Sequence, residues 1–292
     1  KRRTATISEF PVVTEGGHTL PRKYKVLVAL LLAVALVFSV AAVAGCKPKN
    51  ALQAILKAKK IIVGTSADYP PFEFVDEATG NYTGFDVELM EMIAEEMGVT
   101  VEWKDMTFDI VLNSLQSGQI NAAIAAMSIN PERQEQALFS NPYWESPNAV
   151  LVKVGSTVTI TDPLVDFPAL LIGVQSGTIH ETYVKDLIDA GKMDAANLSS
   201  YPRADQAILD LVAGRLDAVY MDAAAAQAFT VSHPVVIAMV HKVESGMGIA
   251  VMLGEQELVD KINEILTQLT EDGSIEALGV KYDIAKTLTE GG

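Results

Sequence analysis

Arg133 stands where a cation is out of place. Asn130-Pro131-Glu132 reads as the cap and first two positions of a helix, which puts Arg133 in its first turn. A positive charge there opposes the helix dipole at a cost of about 0.3–1 kcal/mol. Two arrangements would compensate: an ion pair with Glu132, Glu135 or another surface acid, or a bound carboxylate held in the guanidinium fork. Ser176-Gly177-Thr178 follows an apolar run and opens a helical pattern. Its backbone N–H groups form an anion site, or Thr178 is an ordinary cap. No Gly-Lys pair follows at the spacing of a nucleotide loop. Asp222 comes directly after the apolar run 216–221; it receives an ammonium ion or caps the Ala-rich helix that begins near Ala223. In Asp68-Tyr-Pro-Pro-Phe-Glu-Phe74, Tyr69 and Phe72 are aromatics in a Pro-stiffened loop, one suited to stacking on a ligand and one to the core. Phe108 opens a helix and faces either the core or the same ligand. His180 has no serine or cysteine at a nucleophile's spacing.

These residues need elements to hold them. Ile61-Ile62-Val63 is an apolar run ended by Gly64, as in a buried strand. The stretch 66–84 is rich in turn formers. Asp86 is positioned to cap a helix with Leu89, Ile93 and Met97 on one face and Gly98 as its stop. A strand over 99–103 follows, then a helix capped by Thr107 with Val111, Leu112 and Leu115 inward, then a strand over 120–127. The second half repeats the order: strand 170–174, a helix from Thr178 to Ala190, a weak strand 197–201, a helix over 204–213 and strand 216–221. Leu115-Gln-Ser-Gly118-Gln-Ile-Asn121-Ala122 and Leu211-Val-Ala-Gly214-Arg-Leu-Asp217-Ala218 are parallel passages from helix to strand. Two successive β-α-β-α-β units predict an α/β chain of two lobes, each with a central, mostly parallel sheet. Open α/β sheets bind at the carboxyl ends of their strands, which is where the residues above fall.

The chain has 292 residues, long for one domain and suited to two. Its 22 Lys/Arg against 37 Asp/Glu give a net charge of −15, which argues against a nucleic-acid partner. The single cysteine excludes an internal disulfide and a cysteine-cluster metal site, and the four scattered histidines give no zinc spacing. No cofactor or metal is expected. The basic residues Arg22, Lys23 and Lys25 precede an apolar run over 26–44, the grammar of a secretory signal. The run ends Val43-Ala44-Gly45-Cys46, which resembles the bacterial lipobox. Acylation at Cys46 would supply the two chains that stable membrane attachment needs. The alternative is an uncleaved signal anchor.

The passages VGTSADYPPFEF, GFDVELMEMIAEEMGV, AAMSINPERQEQALFSNPYW, GVQSGT, LVAGRLDAVYMD and LTEDGSIEALGVKYD occur in order over residues 58–285. Together they resemble the polar amino-acid-binding proteins of bacterial ABC importers. The resemblance implies a two-lobed binding fold without catalysis. It implies that Arg133 grips the ligand α-carboxylate with help from Thr178, that Asp222 receives the α-ammonium, and that Ser128 and the backbone of Ala126 take polar groups. It also implies that Tyr69 and Phe108 sandwich the ligand side chain. Ser66 stands where many members carry Asp near the distal end of the ligand, and Gln175 and His180 fall at variable specificity positions. Acidic Asp68, Glu73 and Asp86 near the cleft favour a neutral polar or basic ligand.

The resulting expectation is a monomeric, lipid-anchored protein that faces the periplasm or cell exterior and delivers an amino acid to permease subunits with a cytoplasmic ATPase. Its parts are an N-terminal extension and signal over 1–45, lobe 1 over 46–145 and 247–292, and lobe 2 over 146–246. Crossings near 144–146 and 245–247 form the hinge. The rivals are a dehydratase-like enzyme on the same fold, with Glu73 or His180 as acid or base, and a receptor's ligand-sensing domain.

Overall fold

The computed structural model describes residues 50–241 and 246–284. The signal segment and Cys46 lie outside the described residues. Among the described residues no helix is long and apolar enough to cross a membrane.

Helix α1 (Ala51–Ala58) leads into strand β1 (Lys60–Thr65). A small antiparallel sheet of β2 (Asp68–Tyr69), β3 (Glu73–Val75) and β4 (Tyr82–Thr83) occupies the stretch read as turns. Then come α2 (Phe85–Glu96), β5 (Thr100–Asp105), α3 (Phe108–Gln116), β6 (Ala122–Ala123), α4 (Pro131–Gln134) and β7 (Ala137–Phe139). After β8 (Trp144–Glu145), a second set runs β9 (Asn148–Lys153), α5 (Pro163–Asp166), β10 (Ile172–Gln175), α6 (Ile179–Asp189), β11 (Leu198–Tyr201), α7 (Ala204–Val212), β12 (Ala218–Asp222), α8 (Ala223–Ser232) and β13 (Val235–His241). The chain returns through β14 (Gly246–Met247) to β15 (Ala250–Met252), α9 (Gln256–Glu271) and α10 (Ser274–Lys281).

Two five-stranded sheets result, ordered β5-β1-β6-β15-β7 and β11-β10-β12-β9-β13. In each, the first three strands are parallel, the fourth is reversed, and the fifth is antiparallel to the fourth. Four of five strands therefore share one direction. Strand β15, made after the second sheet, inserts between β6 and β7 of the first, so the chain crosses between the sheets twice. The crossings pair with each other: β8 and β14 are antiparallel, with Trp144 opposite Met247 and Glu145 opposite Gly246.

The helices follow from spacing. Helix α9 buries Leu258, Val259, Ile262, Ile265, Leu266 and Leu269, a stripe at three- and four-residue steps that packs onto the first sheet's core. At about 1.5–3 kcal/mol per fully buried aliphatic side chain, this stripe holds the helix far more strongly than intrinsic propensity does. The matching helix ends at Gly118 and Gly214 both have positive φ (71° and 74°), the geometry that lets a chain leave a helix sharply.

Two local readings change. Asp86 does not cap α2. The cap position is Gly84, and the Asp86 side chain turns into the core, where its Oδ2 accepts from Ala126 N (2.6 Å) and Tyr143 OH (2.8 Å). The strand expected over 120–127 is confined to Ala122–Ala123, because the backbone leaves the extended region at Ala126, whose φ is +46°.

Candidate functional site

The carboxyl ends of β1, β6, β10 and β12 converge on one cavity between the two sheets. Tyr69, Phe108, Ala126, Ser128 and Arg133 line it from the first-sheet side. Gln175, Thr178, His180 and Asp222 line it from the other. Eight of the nine residues singled out as ligand contacts therefore meet in one place. Ser66 is not among the lining residues; its hydroxyl donates to Asp68 Oδ1 at 2.6 Å. The cavity is small, about 10 Å³, roughly the space of one water molecule. A groove of about 450 Å³ lies beside it and shares Phe108, Arg133 and Ile179.

Arg133 is held as the sequence placed it. Asn130 Oδ1 accepts from the Arg133 backbone N–H (2.8 Å), with Pro131 at the first helical position. Among the described residues the guanidinium forms no ion pair with an acid. Its Nη1 donates to the Ser128 carbonyl (2.7 Å) and its Nη2 to the Gly177 carbonyl across the cavity (2.9 Å). Phe108 lies beneath it, ring centroid 5.2 Å from the guanidinium carbon. Burial pulls the guanidinium down to about 10, so it stays charged at neutral pH.

Asp222 ends β12 and sits at the cap position of α8, but its side chain makes no cap bond. Instead Tyr69 OH reaches across the cavity, donating to Asp222 Oδ2 (2.8 Å) and accepting from Asp222 N (3.0 Å). Burial raises the carboxyl to about 7, against the opposing influence of Tyr69 and Arg133. Tyr69 lines the cavity, whereas Phe72 is fully buried in the core.

Thr178 caps α6: its Oγ1 accepts from Glu181 N (3.2 Å) and donates to the Gln175 carbonyl (2.7 Å). The loop is less open than its sequence suggests, since Gly177 N donates to Glu181 Oε2 (2.8 Å). Gly177 is required here. Its φ is +78°, and a Cβ would lie 2.9 Å from the Asp109 Cα of the opposite side.

His180 lines the cavity as a neutral imidazole. Burial pulls it down to about 3, and its Nε2 is 3.0 Å from Asn148 Oδ1, which fixes the proton on that nitrogen. Glu73 is 1% exposed and does not line the cavity; burial and the neighbouring Asp86 raise its carboxyl well above the usual range. Among the described residues no cluster of His, Cys, Asp or Glu is arranged to hold a metal ion.

Two sheets joined by a paired double crossing, with a guanidinium and a carboxylate facing one cavity between them, define a two-lobed cleft-binding protein of the periplasmic-binding type. The chain belongs to the bacterial extracellular solute-binding proteins, family 3, whose model matches residues 61–284. It is 33% identical over 231 residues to the putative ABC transporter arginine-binding protein 2 of Escherichia coli (strain K12), covering 77% of this chain and 91% of that protein. Among solved structures it is similar to an ancestral arginine-binding protein bound to arginine (36% identity, TM-score 0.72, 77% of this chain and 98% of that one). It is also similar to an ancestral amino acid-binding protein that is a precursor of cyclohexadienyl dehydratase (32% identity, TM-score 0.72, 79% and 98%). The relatives are binding proteins of amino-acid transport, and the family is extracellular or periplasmic.

Proposed function

We propose that the protein captures a free L-amino acid with a non-acidic side chain, arginine foremost, and delivers it to a membrane permease driven by a cytoplasmic ATPase. The observation that carries this is the opposition of Arg133 and Asp222 across one cavity. A guanidinium is shaped for an α-carboxylate and a carboxylate for an α-ammonium. A molecule lacking either group leaves a buried charge unpaired and is rejected. Arg133 is the one cation lining the cavity among the described residues, and His180 is neutral, so an acidic side chain finds no partner. That arginine is the first candidate rests on the names of the relatives.

In this reading Ser128, Thr178 and the Ala126 backbone take the ligand's remaining polar groups, Phe108 and Tyr69 flank its side chain, and Gln175 meets its distal end. Ser66 acts through Asp68, one step behind the cavity wall. The lobes are 46–145 with 247–292, and 146–246; the paired crossings β8 and β14 are the hinge. Room for an amino acid comes from separation of the lobes, and closure brings Gly177 and Tyr69 across it. Cys46 carries the lipid anchor that keeps the protein beside its permease as a monomer. Calorimetric titration with the twenty amino acids tests the reading: arginine binds, and glutamate and aspartate do not.

A further inference from the structure

Arg203 occupies the cap position of α7 but makes no cap bond to its own helix. Its guanidinium instead forms a two-pronged pair with Asp105 at the end of β5: Nη1 to Oδ1 at 2.9 Å and Nη2 to Oδ2 at 2.6 Å. Nη1 also lies 3.4 Å from Asp68 Oδ1. The cap that α7 lacks comes from the same Asp68, whose Oδ2 accepts from Ala204 N (2.5 Å) and from Gln175 Nε2 (3.2 Å). Asp68 is itself held in place by the Ser66 hydroxyl, and Asp105 by the backbone N–H of Ala67 (2.9 Å). Asp68 and Asp105 flank the first sheet; Gln175, Arg203 and Ala204 belong to the second.

We infer that Asp68, Asp105 and Arg203 form a clasp between the two halves that sets how readily the cleft opens. The first half supplies a helix cap and a carboxylate fork to the second, and both are lost on opening. Asp68 is 7% exposed and hydrogen-bonded on both oxygens, so opening leaves the α7 terminus and the Arg203 charge to be satisfied by water. Gln175 joins the clasp to the ligand cavity, since it lines the cavity and donates to Asp68. Contacts present only in the closed form raise its population, and that form, with a cavity of about 10 Å³, has no room for an amino acid. Entry of a ligand requires the opposite, an open cleft. The clasp therefore slows association.

The experiment compares the full chain with Arg203→Ala and Asp105→Asn, the second removing one charge with almost no change of shape. Small-angle X-ray scattering of ligand-free protein reads opening without reference to any ligand, so its result stands apart from the functional proposal. The expected result is a larger radius of gyration for both variants than for the parent, reproduced in the parent by molar salt, with melting transitions that remain cooperative. Stopped-flow binding with L-arginine as the probe should show association about threefold or more faster, in line with a reduced closed fraction. Variants as compact as the parent would overturn the inference, as would a parent already as expanded as the variants. An unchanged association rate would also overturn it.

Discussion

Replacing Asp222 by Asn removes a charge while keeping its shape, and the structure gives opposite signs to the two consequences. Asp222 is 5% exposed, its carboxylate accepts from Tyr69 OH, and the cation acting on it is Arg133. Burial has already pushed it to about 7, so the ligand-free protein carries a charge it holds unwillingly. Asparagine keeps an acceptor for Tyr69 OH and drops the desolvated charge. Ligand-free stability should stay within about 1 kcal/mol of the parent or rise. Binding loses the partner of the α-ammonium. Truncating one member of a desolvated, hydrogen-bonded charge pair costs about 2–5 kcal/mol, which is roughly a 30-fold to several-thousand-fold loss of affinity at 1.4 kcal/mol per decade. Calorimetric titration with L-arginine and denaturant melts of ligand-free protein, both at pH 7.5, measure the two terms. Affinity within threefold of the parent, or a large loss of folding stability with binding intact, would refute the reasoning. It would reassign Asp222 to structural work.

Acidification should separate binding from stability: Asp222 must be ionised to receive an ammonium, so affinity falls below pH 7, by up to about tenfold per unit. Ligand-free stability moves the other way, because Asp68 and Asp86 (about 6) and Asp222 (about 7) hold protons in the folded state that the unfolded chain releases near 3.9; together they outweigh His180, held at about 3 and protonated below about 6.5 only in the unfolded chain, so denaturant melts should show more stability at pH 5 than at pH 7.5. Gly177→Ala puts a Cβ 2.9 Å from the Asp109 Cα at a φ of +78°, and should weaken arginine binding at least tenfold in calorimetry while the melting transition shifts by only a few degrees. Cys46→Ala should release the protein from the membrane fraction or leave the signal uncleaved, and intact mass of the mature parent should show lipid on its N-terminus.

Features encoded within one turn of chain were legible in the sequence. The Asn130 cap that presents Arg133 and the Thr178 cap on α6 both stand as read, because caps are set by two or three adjacent residues. The order of elements was legible because apolar runs and Gly stops recur. What was hidden depends on partners far along the chain. Asp86 carries the chemistry of a cap, and only the fold shows its carboxylate buried against Ala126, 40 positions away. Arg203 meets Asp105 across 98 positions, with no local signal on either side. Strands of two or three residues such as β2 and β3 are too short for alternation to show, so their stretch read as turns. Ser66 is absent from the cavity lining and donates instead to Asp68, a link between neighbours that residue type alone does not reveal.

The central claim is that opposed charges at Arg133 and Asp222 select a zwitterion. Its most direct test is calorimetric titration of one protein preparation with L-arginine, with agmatine, which lacks the α-carboxylate, and with 5-guanidinopentanoate, which lacks the α-ammonium. The account predicts saturable binding of L-arginine and a loss of at least about 30-fold for each analogue, from the 2 kcal/mol lower bound on an unpaired buried charge. Agmatine or 5-guanidinopentanoate binding as tightly as L-arginine would contradict it.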